Sequence, residues 1–91
     1  MTLYHGGDLV DGLVQPGTFS TTTDLAHAEQ YAEMRNGFVC TFEVPLDKLY
    51  EMQESGTVQM ARDKLEGTDS FATEWRFFGD ASTQLNPYRV P

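Results

Sequence analysis

Residues 3–7 read Leu3-Tyr4-His5-Gly6-Gly7, and the interpretation of the whole chain starts from this stretch. An apolar and an aromatic residue lead into a histidine, which predicts a short strand, and two glycines follow directly. Because glycine lacks a side chain, another group can approach its backbone closely. The pattern therefore indicates a strand that holds an imidazole beside a ligand. A histidine before a glycine turn also occurs as a purely structural feature, so other segments must decide.

Length and composition predict one domain, residues 1–91, with room for a single thin core. The 6 basic and 14 acidic residues give a net charge of −8, which repels phosphate backbones and weighs against nucleic acid as a partner. We find neither a signal-peptide pattern nor the ~20 consecutive apolar residues of a membrane span. The single cysteine, Cys40, has no internal disulfide partner, so we expect a cytoplasmic protein.

The remaining sequence mixes helices and strands without regular alternation, which predicts an α+β fold. Residues 38–44 (FVCTFEV) alternate between apolar and polar positions and predict a strand that Pro45 ends. Residues 8–17 predict an ordered loop, 46–50 a turn or short irregular helix, and 68–73 a polar loop. The other predicted elements are strands at 18–22, 74–78 and 88–90 and helices at 25–35 and 57–66.

The helix predicted at 25–35 has a clear apolar face. Thr22, Thr23 or Asp24 would cap its start, and Gly37 would cap its end. By its angular position, His27 falls outside the apolar face. That face consists of Leu25, Ala28, Tyr31 and Ala32.

The ligand classes with well-known motifs are not indicated. His5 and His27 are the only histidines, and no cysteine pair or calcium-loop pattern exists, so we expect no metal site. Ser20 is not on a nucleophile elbow, which argues against a serine triad. Neither of the common glycine-rich phosphate-binding motifs is present.

Three groups at strand edges or on a helix face suit a nucleotide sugar that carries a cationic ring: His5 with Gly6, residues 19–21 with Tyr31, and Glu74. A tyrosine face attracts a pyridinium ring, because the quadrupole of the aromatic ring is negative there. A carboxylate near the anomeric carbon stabilises the positive charge that develops as the glycosidic bond breaks.

Four short motifs occur in order along the chain: Tyr4-His5-Gly6; Gly17-Thr18-Phe19-Ser20-Thr21 followed by Ala28 and Tyr31-Ala32; residues 38–46 (FVCTFEVPL); and Glu74-Trp75. In these motifs the chain resembles the ADP-ribosyltransferase superfamily, and within it the His–Tyr–Glu branch that includes diphtheria toxin and the poly-ADP-ribose polymerases. The short loop from HGG to PG is also similar to that of small bacterial rifamycin-modifying transferases. The resemblance implies a small fold of about five short strands in a split mixed sheet with two helices.

The resemblance also implies a role for each matched residue, with NAD as the cofactor. His5 would hydrogen-bond a ribose hydroxyl, and the Gly6 backbone would pair with the nicotinamide carboxamide. Tyr31 would stack on nicotinamide, and Glu74 would be the catalytic carboxylate. Ser20 would brace the pocket, and Phe19 would form its other wall.

Each residue also has a structural interpretation. Tyr31 fits a core position, Ser20 a strand end, and Glu74 a solvated strand start. Phe71, in the loop before Glu74, is a hypothetical acceptor-recognition residue. Ala72 stands two residues before Glu74, where arginine-directed relatives carry an acidic or amide residue, which argues against an arginine acceptor.

These observations predict an NAD-dependent mono-ADP-ribosyltransferase that modifies a protein, a small molecule or a nucleobase and releases nicotinamide. Two alternatives stay open. One is a non-catalytic version of the fold that acts as an inhibitor or binding module, such as a phage or toxin–antitoxin effector that docks on a basic surface. The other is an NAD glycohydrolase, in which water is the acceptor.

Overall fold

The opening strand forms where the sequence predicts it. In the computed structural model, which describes residues 1–64 and 67–91, strand β1 spans Thr2–Gly7. It pairs along its whole length with β3 (Phe38–Glu43), antiparallel, with His5 opposite Cys40. The predicted alternation of β3 is confirmed, since Cys40 and Phe42 are buried while their neighbours along the strand are more exposed.

Three further strands complete one sheet in the order β3-β1-β2-β5-β4. They are β2 (Phe19–Thr22), β4 (Val58–Lys64) and β5 (Phe71–Phe77). The α+β class and the number of strands are confirmed. The expectation of a mixed sheet is wrong, because every strand pairing in the described residues is antiparallel.

The sheet is weakly joined at its centre. Strand β1 meets β2 in the single register pair Tyr4↔Thr22, whereas β2 and β5 pair over four residues and β4 and β5 over seven. The single sheet therefore has a weakly paired seam between β3-β1 and β2-β5-β4, but it is not split into two sheets as expected.

Helix α1 (Leu25–Met34) begins and ends close to the predicted positions. The Asp24 carboxylate caps its start by accepting a hydrogen bond from the His27 N–H at 3.2 Å. At its end Asn36, not Gly37, adopts the left-handed conformation, with φ 52°. Gly37 follows and donates to the Ala32 carbonyl at 2.8 Å, the bond that closes a Schellman motif.

The predicted apolar face of α1 is partly wrong. Ala28 and Ala32 are buried as expected, but Leu25 is 45% exposed. His27, which the angular pattern placed outside the face, is only 1% exposed. The reason is the way α1 packs on the sheet near β1. The side of the helix that faces the strands carries His27 and Tyr31, and Leu25 lies away from it.

The predicted helix at 57–66 is wrong over its described part, which is strand β4. Met, Ala, Arg and Lys favour helices intrinsically, and the spacing of Val58 and Ala61 fits a helix face. Backbone pairing with β5 outweighs this preference. Because β4 is an edge strand with mostly exposed side chains, it has no clear apolar alternation to reveal it. Residues 65 and 66 of the predicted helix lie outside the described residues.

Three other boundaries also differ from the predictions. Residues 46–50 belong to a regular helix, α2 (Leu46–Glu54), which buries Leu49 and Met52. Strand β5 begins at Phe71, so the second half of the predicted loop before Glu74 is strand. Of the predicted last strand, 88–90, Tyr88 ends a 3₁₀ segment, Gly79–Tyr88, and the rest is reduced to an isolated bridge of Arg89 with Phe42.

The two faces of the sheet carry different kinds of side chain. The apolar core lies on the face covered by α2 and the 3₁₀ segment. Helix α1 covers the opposite face, where β1, β2, β4 and β5 present polar side chains. No helix in the described part of the chain has the length and hydropathy needed to cross a bilayer. The core contains Leu3, Val14, Cys40, Phe42, Val44, Leu49, Met52, Val58, Trp75, Phe77, Ala81 and Leu85.

Candidate functional site

A cleft of about 80 Å³ lies between α1 and the sheet, at the seam between β1 and β2. The predicted site residues His5, Tyr31 and Glu74 come from three separate elements and all line it. The two halves of the sheet separate here because β1 and β2 share one register pair. The remaining lining residues are Tyr4, Gly6, Ser20, Thr21, Thr22, His27, Arg35 and Asp63.

His5 occupies the seam itself. Its Nδ1 lies 2.6 Å from the Ser20 carbonyl oxygen. A carbonyl only accepts hydrogen bonds, so Nδ1 carries the proton and Nε2 of the neutral ring is an acceptor. Burial lowers the pKa of the His5 imidazole from its ordinary value of 6.5, the Arg35 charge lowers it further, and the bond to Ser20 opposes both. His5 therefore offers an acceptor nitrogen, which suits a ligand hydroxyl.

Gly6 is a glycine because α1 crosses it closely. A β-carbon at this position would lie 2.1 Å from the Ala28 carbonyl oxygen and 2.6 Å from the Ala32 nitrogen. The Gly6 carbonyl already accepts a hydrogen bond from Arg35 Nη1 at 2.9 Å. The packing of the helix, rather than the approach of a ligand, thus explains why this residue is a glycine. Arg35 already occupies the Gly6 carbonyl.

The Gly6 N–H points toward the seam. Met1 and Val44 exchange both of their backbone hydrogen bonds, at 2.7 and 3.0 Å. In an antiparallel ladder such pairs alternate, so Leu3, His5 and Gly7 bond to β3, and the backbone groups of Gly6 face β2. If β1 and β2 paired further, the Ser20 carbonyl would accept a backbone hydrogen bond from β1. Here it accepts a hydrogen bond from the His5 ring instead.

Phe19 does not line the cleft, so its expected place as a second pocket wall is not what the structure shows. Its ring stacks on His5 with centroids 4.0 Å apart and meets Phe42 edge-on at 5.9 Å. Phe19 therefore supports the imidazole from the core side. Ser20 does line the cleft, and its carbonyl fixes the orientation of His5.

Tyr31 is held by three polar neighbours. Its hydroxyl donates to Asp63 Oδ2 at 2.5 Å. The His27 ring stacks on the Tyr31 ring with centroids 5.4 Å apart, and the Arg35 guanidinium carbon lies 5.1 Å from the ring centre. A ligand ring that stacks on Tyr31 must displace one of these neighbours, and Arg35 has the longer side chain to move.

Glu74 lies in the middle of β5 and is 8% exposed, so the solvated strand-start interpretation is wrong. Its Oε2 accepts a hydrogen bond from Arg76 Nη2 at 2.9 Å. Arg76 is two residues along the same strand and therefore on the same face of the sheet. This pairing compensates for the burial of the carboxylate.

The cleft residues that the sequence did not assign to the site include His27, Arg35 and Asp63. His27 and Arg35 lie four residues before and after Tyr31, and this i, i+4 spacing was a usable signal because it places the three side chains on one stripe of α1. Asp63 had no such signal, since its segment was predicted as helix. Phe71, the hypothetical acceptor-recognition residue, is 54% exposed at the start of β5 and packs under the Arg62 guanidinium at 4.6 Å.

The side chains that line the cleft carry one net negative charge, and Arg76, which is outside the lining, pairs with Glu74. Asp63 and Glu74 are acidic, Arg35 is basic, and burial keeps His5 mostly neutral near pH 7. The described residues hold no cluster of three or more metal-ligating side chains. The cleft therefore brings together two carboxylates, one guanidinium and a mostly neutral imidazole.

Comparison of the chain with protein-family models, with curated proteins and with solved structures gave no significant match.

Proposed function

We propose that the chain is an NAD-dependent mono-ADP-ribosyltransferase whose catalytic site is this cleft. The observation that carries the proposal is that His5, Tyr31 and Glu74 line one cavity although 26 and 43 residues separate them along the chain. If Glu74 pointed to solvent away from Tyr31, the proposal would have no site.

The cleft is small compared with NAD. At about 80 Å³ it is far smaller than the roughly 300–1,000 Å³ of pockets that enclose drug-sized ligands. Entry of the nicotinamide ring and its ribose therefore requires Arg35 to move aside, and the adenosine end would lie on the surface. The negative balance of the lining favours the cationic ring over the neutral nicotinamide that leaves.

Each residue then has a task that follows from its contacts. Tyr31 offers an aromatic face to the pyridinium ring once Arg35 moves aside. His5 Nε2 accepts a hydrogen bond from a ribose hydroxyl, and the Gly6 N–H faces the carboxamide. Glu74 stabilises the positive charge that grows at the ribose carbon as the bond to nicotinamide breaks, because a fixed carboxylate in a shielded site interacts strongly with that charge.

One observation favours a second candidate, a non-catalytic binding module. The Glu74 carboxylate is already paired with Arg76, and this pairing reduces its effect on a neighbouring positive charge. In that case the cleft binds a cationic ring without cleaving its glycosidic bond.

The test is cleavage of labelled NAD by the protein in the presence of a cell lysate, with Glu74→Gln as the variant. We expect label on an acceptor and release of nicotinamide, and we expect the variant to lose about 100-fold or more in rate. Glu29→Gln, which makes the same change at an exposed position on α1, is the matched control and should retain the wild-type rate.

Three other outcomes would correct the proposal. Free ADP-ribose without labelled acceptor identifies a glycohydrolase. NAD binding without cleavage identifies the binding module. Failure to bind NAD at millimolar concentration refutes both enzymatic functions.

A further inference from the structure

The cleft contains a second carboxylate that the sequence did not reveal. Asp63 lies on β4, directly opposite Ala72 of β5. Glu74 is two residues beyond Ala72 and so shares its face of the sheet. Diagonal neighbours of this kind have side chains roughly 7–8 Å apart, and Ala72 places only a methyl group between them. Both carboxylates line the same cavity.

The two carboxylates differ in their access to solvent. The Glu74 side chain is 10% exposed and is paired with Arg76. The Asp63 side chain is 33% exposed, at the edge strand of the sheet. An incoming acceptor therefore reaches Asp63 before it reaches Glu74.

Asp63 is also held in a fixed position. Its Oδ2 accepts the Tyr31 hydroxyl, and His27 Nε2 lies 3.6 Å from the same oxygen. Its Oδ1 accepts the Lys64 N–H at 3.0 Å. Each carboxylate oxygen has two acceptor positions, so these contacts leave capacity for a further hydrogen bond from a ligand.

We infer that Asp63 is a second catalytic residue, which takes the proton from the acceptor nucleophile. This inference rests on the proposed function. The acceptor forms a bond to the ribose carbon while the bond from that carbon to the nicotinamide nitrogen breaks. The electron pair of the broken bond leaves with the nitrogen, which gives neutral nicotinamide. The acceptor proton passes to the Asp63 carboxylate and then to water.

The division of labour follows from the two environments. Glu74 is buried and paired with Arg76, so its carboxylate is held in place beside the ribose. Asp63 is partly open to solvent, so it can receive a proton and return it to water. General-base assistance of this kind is typically worth 10²–10⁴-fold in rate.

The experiment compares two nucleophiles with NAD in the full chain, without any need to know the natural acceptor. Water must lose a proton as it attacks, whereas the azide anion has none to lose. We expect Asp63→Asn to slow NAD hydrolysis about 100-fold while azide transfer stays at the wild-type rate. Glu74→Gln should slow both reactions. Asp80→Asn, an exposed acid in the 3₁₀ segment, is the matched control.

Rescue separates a catalytic role from a structural one. Formate added to Asp63→Ala should restore hydrolysis, because it supplies a carboxylate in the space that the substitution opens. Circular dichroism and the affinity for NAD show whether each variant keeps its fold and its binding site.

The outcomes are distinct. Equal loss of hydrolysis and azide transfer in a folded Asp63→Asn protein, or no rescue by formate, overturns the role of Asp63 and leaves the proposed function standing. A wild-type protein that cleaves NAD with neither nucleophile and labels no acceptor in a cell lysate overturns the proposed function and this inference with it.

Discussion

At the scale of single residues, Tyr31 connects the most parts of the site. Its ring contacts His27 and Arg35 from its own helix, and its hydroxyl reaches Asp63 on β4. The hydrogen bond to Asp63 is the main cause that raises the pKa of Tyr31 to about 12; burial and the negative charges of Asp63 and Glu74 add to it, and Arg35 opposes it. Tyr31 therefore stays protonated and offers a neutral ring.

This gives a titration that can be measured directly. The absorbance change of tyrosinate, taken as wild type minus Tyr31→Phe, should show a midpoint at about pH 12, compared with 10.0 for an ordinary tyrosine. Since the raised pKa belongs to the folded state, its contribution to stability is present below pH 10 and is lost as the pH rises toward 12. Asp63→Asn should move the midpoint back toward 10.0. An unchanged midpoint in this variant would contradict the assigned bond.

At the scale of elements, the contact of α1 with β1 determines the shape of the cleft. Two glycines allow it: Gly6 lies under the helix, and a β-carbon at Gly37, just after the helix, would lie 2.8 Å from Gly7 Cα. Because the helix lies this close to the strand, His27, Tyr31 and Arg35 extend over the seam and not into solvent. The cleft is thus a consequence of how closely α1 approaches β1.

The close approach predicts a large effect of Gly6→Ala. The new methyl group would lie 2.1 Å from the Ala28 carbonyl oxygen and 2.9 Å from the Tyr31 β-carbon, so the helix must shift. We expect a loss of about 3 kcal/mol in the free energy of unfolding, measured by urea denaturation.

Gly56→Ala is the control for this prediction. Gly56 has a positive φ but open space around it, so only backbone strain of about 1–2 kcal/mol is expected. If Gly6→Ala costs no more than the control, α1 and β1 are farther apart than described.

At the scale of the whole molecule, the two faces of the sheet separate stability from binding. The apolar core on one face holds the strands together, while the other face carries the charged cleft. The loop at residues 8–17 and the 3₁₀ segment are distant in sequence and close one side of the core together. Asn86 links them, because its side chain accepts from the Val14 N–H at 2.8 Å and donates to the Val14 carbonyl at 3.1 Å.

Asn86→Ala should therefore destabilise the protein without touching the cleft. It leaves two backbone groups of Val14, which is 2% exposed, without their partner. We expect a loss of about 2 kcal/mol in urea denaturation with unchanged affinity for NAD. Gln84→Ala, at an exposed position of the same segment, should change stability by less than about 0.5 kcal/mol. A loss of NAD affinity in a folded Asn86→Ala protein would show that the two faces are coupled.

The sequence alone determined the local features that depend on residues close in the chain. The strand at 38–44, the helix after Asp24 and the strand that carries His5 are set by alternation, capping and glycine positions, which act over a few residues. The tertiary structure decided the features that depend on distant pairing. Segment 57–66 has helical composition, and only pairing with β5 makes its described part a strand; this pairing brings Asp63 to Tyr31. Likewise, only packing of α1 on β1 buries His27. The cleft lies between elements far apart in sequence, so its complete set of side chains follows from packing and not from any local pattern.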